Sequence, residues 1–560
     1  MSFDRVSSPP GRHHGPGWPL LALLVIGVIV LVAAFVAFAN PLGDSGDDKA
    51  VTRYTEAEVG SPSRVNPLYA YASDVDRDLA SLVFSGLTRL DAEGKPQPDL
   101  AERWDVSDDG LTVTFHLRPN VTWHTGAQFT SADVIFTYGL LADKALQGDP
   151  EQAALWQSIK CLARDTLTVE CTLPEPFAPL LAYTTMGILP SSILSSSTAA
   201  TILDDPFNRH PVGTGPYSVV ALDNSHAVLR ANDKFYLGAP KIDEFTFRFH
   251  PDMASAAADI VRGQADGLLA GLTIDPADFQ TLREVDGLSE HPANRSAFTI
   301  LYLNDGAPPM NDPAVRGAIA RALDVDSIIT GLLGGRGQRA DTPIVPGTWA
   351  YNSDAEAITR DVGQARSLLE GDGWVLPSNS TVREKNNQEL RISLITDQDA
   401  LRGAIADAIA GQLADVGIEA TVVRQPSNDL VRDFLIPRQY QAAIFGWDPG
   451  ADPDPYPAWH SSQTINNGRN ISGYTSDEAD KLVEEARRTL DIEARKLLYR
   501  QFQVLFLKDL PSIPLYVPLF TYFVSDKVTG VDPGVLFSPA SRFRNVYEWT
   551  VTTPAAIGNN

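Results

Sequence analysis

Residues 391 to 423 constrain the fold more than any other stretch. Arg391 to Ile395 reads as a strand, and Leu401 to Val416 reads as an amphipathic helix. Leu401, Ile405, Ile409, Leu413 and Val416 fall on one face of that helix, Gly417 stops it, and Ile418 to Val423 reads as the next strand. Strand, helix and strand in that order predict parallel pairing through a right-handed crossover, hence an α/β class. Ala442 to Gly446 is a further short apolar strand. At its carboxyl end begins FGWDPGADPDPYPAWH, residues 445 to 460. Ligands of open α/β sheets settle beyond the carboxyl ends of strands, so this loop sits where a ligand is expected.

The loop admits three chemistries. A metal site is disfavoured: Asp448, Asp452 and Asp454 lack the glycine and distant glutamate of a calcium loop, and Pro449, Pro453 and Pro455 stiffen the chain against curling round an ion. The chain has no CxxC or HExxH, and its His13-His14 pair precedes the apolar segment described below. Nucleophilic hydrolysis is disfavoured because no GxSxG occurs and serines cluster in Ser191 to Ser197. Binding remains: Trp447, Tyr456 and Trp459 offer flat apolar walls, His460 a further wall, and the aspartates offer charge to an ammonium group. The alternative is a proline-stiffened surface loop whose aromatic residues simply pack. Gly213-Thr214-Gly215-Pro216-Tyr217 suggests a phosphate loop, but it lacks a following Lys-Ser/Thr and Pro216 removes an amide, so a structural turn is expected. No enzyme activity, cofactor or metal is expected.

The chain has 560 residues, more than one compact core needs, so two or three domains are expected. Its formal charge of -25, from 45 basic and 70 acidic residues, argues against a nucleic-acid partner. Trp18 to Ala39 carries no charge and is long enough, at about 1.5 Å per residue, to cross a bilayer as a helix. Arg5 and Arg12 before it, with Asp44, Asp47 and Asp48 after it, put residues 1 to 17 inside and the bulk outside. Ala37-Phe38-Ala39 resembles a signal-peptidase site, so an uncleaved anchor and a cleaved signal both stand, the anchor being preferred. Residues 40 to 50 form a polar linker. Cys161 and Cys171, the only cysteines, flank two short strands around Arg164-Asp165; a hairpin-bridging disulfide and two separate buried thiols are the alternatives.

Smaller signals fill in the rest. Asp78 to Leu87 is a helix, Leu111 to Leu117 a half-buried strand after an Asp109-Gly110 turn, and Thr130 a helix cap. Thr475 and Glu478 form a capping box, and Asp491 caps a second helix running to about Lys508.

In this order and spacing, LVFSGLTRLDAEGKPQPDLAERWDVSDDGLTVTFHLRPNVTWHTGAQFTSADVIFTY (82 to 138), GTGPY (213 to 217), FTILYLNDGAPPMNDPAVRGAIARALD (298 to 324), ARSLLEGDGW (365 to 374), DPDPYPAWHSSQ (452 to 463) and RKLLYRQFQVLFLKDLPSIPLY (495 to 516) form a recognisable set. The chain resembles the extracellular solute-binding proteins of ABC importers, in the peptide/nickel family 5 that includes dipeptide- and oligopeptide-binding proteins. The resemblance covers about Val51 to Val551. It implies a two-lobed periplasmic-binding-protein-like fold of type II with an extra α+β domain. Lobe I would comprise 51–95, 205–300 and 515–551, the extra domain 96–204, and lobe II 301–514. The crossings would lie near Phe298 to Asn304 and Ser512 to Tyr516, with Asn304 joining the candidate ligand-binding set. In peptide-binding relatives the loop after a Gly-Trp strand end bears an aspartate that pairs with the ligand amino terminus. Gly446 and Trp447 match that start, but Gly450 holds the aspartate's place. Asp448 or Asp452 would substitute, Asp452 being preferred; otherwise the ligand is a blocked peptide or another polar solute. Tyr69 and Tyr71 would supply further walls. The resemblance implies a monomeric, extracytoplasmic receptor that captures an oligopeptide by lobe closure and docks on a membrane permease. A membrane-anchored peptide sensor, or a binder of a nickel complex, haem or oligosaccharide, is the alternative.

Overall fold

Ser512–Ser525 is a strand of 14 residues around which the molecule is organised. Its sequence, SIPLYVPLFTYFVS, is almost wholly apolar. Ser512 to Val517 and Thr521 to Val524 are buried, while Pro518, Leu519 and Phe520 between them are half-buried. In this computed structural model, which describes residues 51–465 and 468–552, the strand belongs to two half-sheets at once. Its first half pairs with Phe298–Leu303, Thr299 facing Tyr516, and with Gly337–Arg339. Its second half pairs with Gly267–Ala270 and with Leu288–Asn294, Asn294 facing Leu519.

Each half-sheet then extends outward. Beyond Phe298–Leu303 lie Ala442–Trp447, Arg391–Asp397 and Glu419–Gln425. Arg391–Asp397 and Glu419–Gln425 run parallel, joined by the helix Ala400–Ala414, which is the crossover that the sequence predicts. On the other side, Arg53–Val59 lies between Gly267–Ala270 and Glu244–His250, followed by His226–Ala231 and Tyr217–Leu222. The chain passes between half-sheets twice. One passage is Arg295 to Ala297; the other is the half-buried middle of the long strand, where the Arg295 amide donates to the Pro518 carbonyl at 2.9 Å. The expected crossings thus lie beside these passages, displaced by a few residues.

Residues 96–204 contain a four-stranded antiparallel sheet and the helix Ser131–Ala142, whose Thr130 and Asp133 form a capping box. Its core is continuous with that of the half-sheet containing Arg53–Val59, the first half-sheet in chain order: Phe115, Trp156 and Val169 share one buried cluster with Tyr54 and Phe245. Cys161 faces Cys171 across the hairpin, and the two are joined in a disulfide.

Some boundaries differ from the sequence reading. The expected helix over Asp78 to Leu87 is Asp74–Val83, because the Ser73 hydroxyl caps it by accepting from the Asp76 amide. The chain leaves that helix extended at Phe84, and Gly86 passes so close to Thr185 that an added Cβ would meet its backbone at 2.5 Å. The helix Asp477–Arg488 is capped by Ser476, one residue beyond the Thr475 expected. Gly213 and Gly215 press against the Val83 and Leu82 carbonyls, which accounts for GTGPY as a structural turn. Among the described residues no helix is long and apolar enough to cross a membrane; the apolar run Trp18 to Ala39 lies outside them.

Candidate ligand-binding site

The molecule holds a cavity of about 430 Å³. The helix Asp74–Val83, the turn Phe84–Gly86, the strand Thr88–Leu90 and the C-terminal segment from Val535 to Tyr547 build most of its wall. Leu141, Tyr183 and Met186 contribute from residues 96–204, and the acidic loop contributes Ala451. Phe84, Tyr71, Phe537 and Tyr547 make the wall aromatic, a surface suited to burying apolar parts of a small ligand.

Of the residues nominated from sequence, Tyr71 borders this cavity. Tyr69 is buried, and burial pushes its hydroxyl up to about 12; that hydroxyl has no hydrogen-bond partner among the described residues. Asn304 is buried and donates to the Arg438 and Tyr440 carbonyls at 2.8 and 2.7 Å, holding a chain turn. Gly446 and Trp447 end the strand Ala442–Trp447, facing Thr299 and Phe298.

The acidic loop is occupied by the protein itself. Arg295 donates to Asp448 at 2.8 Å and also to the Leu536 and Phe537 carbonyls, which ties the loop to a crossing and to the C-terminal segment. Asp452 receives both arms of Arg495, at 2.7 and 2.5 Å, and both side chains are more than nine-tenths buried. Asp454 lies 3.3 Å from Arg487. Burial raises the Asp454 carboxyl above its ordinary range, and Arg487 opposes that shift. The Arg487 guanidinium lies 4.3 Å over the Tyr456 ring and 5.0 Å over Phe177. Tyr456 also stacks on His460, whose Nε2 meets Glu484 at 3.0 Å. Trp459 is 2% exposed, stacked on Tyr302 and edge-on to Phe506. The aspartates expected to grip an ammonium group, Asp452 first among them, are therefore already matched by arginines. Gly450, the position where the resemblance implies an aspartate, adopts φ +81°, a left-handed conformation that favours glycine.

The cavity wall itself carries charge that the sequence reading missed. Arg89 projects from Thr88–Leu90; its Nε donates to the Pro98 carbonyl at 3.3 Å, and no bond holds its terminal nitrogens among the described residues. Burial raises the Asp99 carboxyl to about 6, although the Tyr236 hydroxyl donates to it at 2.5 Å and Arg89 and Arg118 lie nearby. A lone arginine in a short strand gives no sequence signal; only the cavity marks it.

Residues 95–468 match the family described as "Bacterial extracellular solute-binding proteins, family 5 Middle". The chain belongs to this family. It is 25% identical over 545 residues to the oligopeptide-binding protein AppA of Bacillus subtilis (strain 168), covering 94% of this chain and 98% of that protein. The structure of AppA from Bacillus subtilis in complex with a nonapeptide matches with a TM-score of 0.66, covering 90% of this chain and all of that one. NikZ from Campylobacter jejuni, solved in complex with Ni(L-His), matches at 26% identity with a TM-score of 0.67, covering 89% and 99% of the two chains. Heme-binding protein A of Haemophilus influenzae is 27% identical over 75% of this chain and 78% of its own. The mixed α/β, periplasmic-binding-protein-like architecture agrees with these solute-binding relatives.

Proposed function

We propose that the protein is the extracytoplasmic substrate-binding component of an ABC importer, a carrier and not an enzyme. It takes up an oligopeptide or similar small polar solute and delivers it to a membrane permease. The observation that carries this reading is the aromatic cavity, lined from one half-sheet's helix and C-terminal segment, from residues 96–204 and from the acidic loop, in a chain that passes twice between two half-sheets. We read the half-sheets as the cores of two lobes of a type II binding fold, with residues 96–204 as the extra domain fused to the first. Contacts bridge that domain and the second lobe: Arg469 meets Glu151 at 2.7 Å, and the Ala178 amide donates to the Arg487 carbonyl at 2.8 Å. These are contacts expected of a closed trap. Peptide is preferred as the ligand because the AppA structure, which spans nearly the whole chain, holds a nonapeptide.

Native mass spectrometry of the full chain in detergent tests this. A co-purifying peptide, or uptake from a peptide mixture without turnover, is the expected result. Release of cleaved products would overturn the carrier reading, and retention of a nickel complex or haem in place of peptide would replace the ligand.

A further inference from the structure

The cavity and the loop divide their charges in opposite ways. In the loop every carboxylate has found a protein cation: Asp448 with Arg295, Asp452 with Arg495, Asp454 with Arg487. In the cavity wall the carboxylates are likewise engaged. Asp91 accepts from the amides of Glu93 and Lys95 and from Gln97, Asp99 accepts from Tyr236, and Asp149 accepts from the Glu151 amide. Arg77 is spoken for by Asp74 and the Tyr71 carbonyl.

Two guanidinium groups are left with unspent donors. Arg89 uses Nε alone. Arg544 meets Asp532 through Nη2 at 2.5 Å, while its buried Nη1 has no partner among the described residues. Both residues line the cavity, but the Arg544 Nη1 is packed beside Gly534 and closed off from it, which leaves Arg89 as the accessible donor. The Arg89 guanidinium is half-buried with its two terminal nitrogens free among the described residues, so a ligand that supplies acceptors there is favoured over one that supplies a further cation.

We infer that the ligand is anchored by a carboxylate on Arg89, and that its amino terminus is not read by an aspartate. This rests on the peptide reading above and names the end of the peptide that is recognised. Arg89 offers two parallel N–H donors, the fork that fits a carboxylate in bidentate fashion. The carboxylate is either the peptide's C-terminus or an acidic side chain. In both cases N-terminal blocking leaves binding intact.

The test uses the full chain in detergent and three matched tetrapeptide libraries: free at both ends, N-acetylated, and C-amidated. Retained peptides are read by native mass spectrometry and affinities of representative members by calorimetry. N-acetylated peptides should bind within about twofold of free ones, and C-amidation should weaken binding by about tenfold or more, the worth of one charge-assisted bond. If amidated peptides are retained but enriched in Asp and Glu, the carboxylate comes from a side chain and the inference stands. Arg89→Gln should abolish the difference between free and amidated peptides, while Arg89→Lys should keep part of it; unchanged melting temperatures separate this from misfolding. Should Arg89→Gln fail to fold, the wild-type comparison of the three libraries decides alone. Loss of binding on N-acetylation with none on amidation would overturn the inference and leave the peptide reading intact. Retention of no library would overturn both.

Discussion

Two clusters bury carboxylates in this protein, and they balance them differently. In the acidic loop the ratio is one to one, each aspartate facing its own arginine. Around Arg542 it is three to one. Glu56, Asp78 and Glu58 approach that single fully buried guanidinium at 2.9, 2.6 and 2.9 Å, and the hydroxyls of Tyr54 and Tyr522 both donate to Glu56, at 2.6 and 2.8 Å. One cation does not neutralise three buried anions. Burial first, and then the neighbouring Asp78, push Glu58 well above its ordinary range, and burial likewise raises Asp78. Each aspartate of the loop is matched by a cation that fixes the chain, whereas the crowded acids around Arg542 are all pushed up from their ordinary range. The Arg542 cluster joins the strand Arg53–Val59, the helix Asp74–Val83, the strand Ser512–Ser525 and the segment Pro539–Phe543, so it clamps one half-sheet.

Three substitutions would break or sharpen this contrast. Arg542→Met should have the largest effect. It strands carboxylates at the centre of the first half-sheet and should cost roughly 3–5 kcal/mol, seen as a lowered urea midpoint at pH 7. A midpoint unchanged from wild type would mean that the carboxylates are already neutral without Arg542. Arg495→Met strands a single buried aspartate, Asp452. It should cost about 2 kcal/mol by the same measurement and loosen the loop near Asp452 in hydrogen exchange. A loss as large as that of Arg542→Met would erase the distinction drawn here. Glu58→Gln should have the smallest effect at neutral pH, since glutamine mimics the protonated acid. Its signature is the pH profile. Because the folded-state pKa of Glu58 is raised above its usual 4.5, this group's contribution to stability is complete below that pH and is lost as pH rises through the folded value. The variant should therefore show a shallower decline in stability on the alkaline side of 4.5, and an unaltered slope would place the proton elsewhere.

The secondary structure was largely legible. Periodicity and Gly417 locate the parallel crossover between Arg391–Asp397 and Glu419–Gln425, and the apolar run Ser512 to Tyr516 is the start of the long strand whose middle carries one crossing. The acidic loop does begin at a strand end, as its sequence indicates. Its chemistry was not legible, because its partners lie far off in the chain: Arg295 is 153 residues from Asp448 and Arg495 is 43 from Asp452. A carboxylate awaiting a ligand and one already paired look alike in sequence. Trp459 was read as a wall on the same basis and lies in the core, since an aromatic side chain in a loop is exposed or buried only by what folds over it.

Local order thus determined the class of the fold, the places where chain segments turn and the family to which they add up, because periodicity, caps and breakers act over a few residues. Which charges are spent and which remain was decided only when distant segments met. Arg89 keeps its donors because the sheet carries it into a hollow, and Asp452 loses its freedom because a helix brings Arg495 against it. Coulomb forces and hydrogen bonds depend on distance in space, and the sequence does not carry that distance.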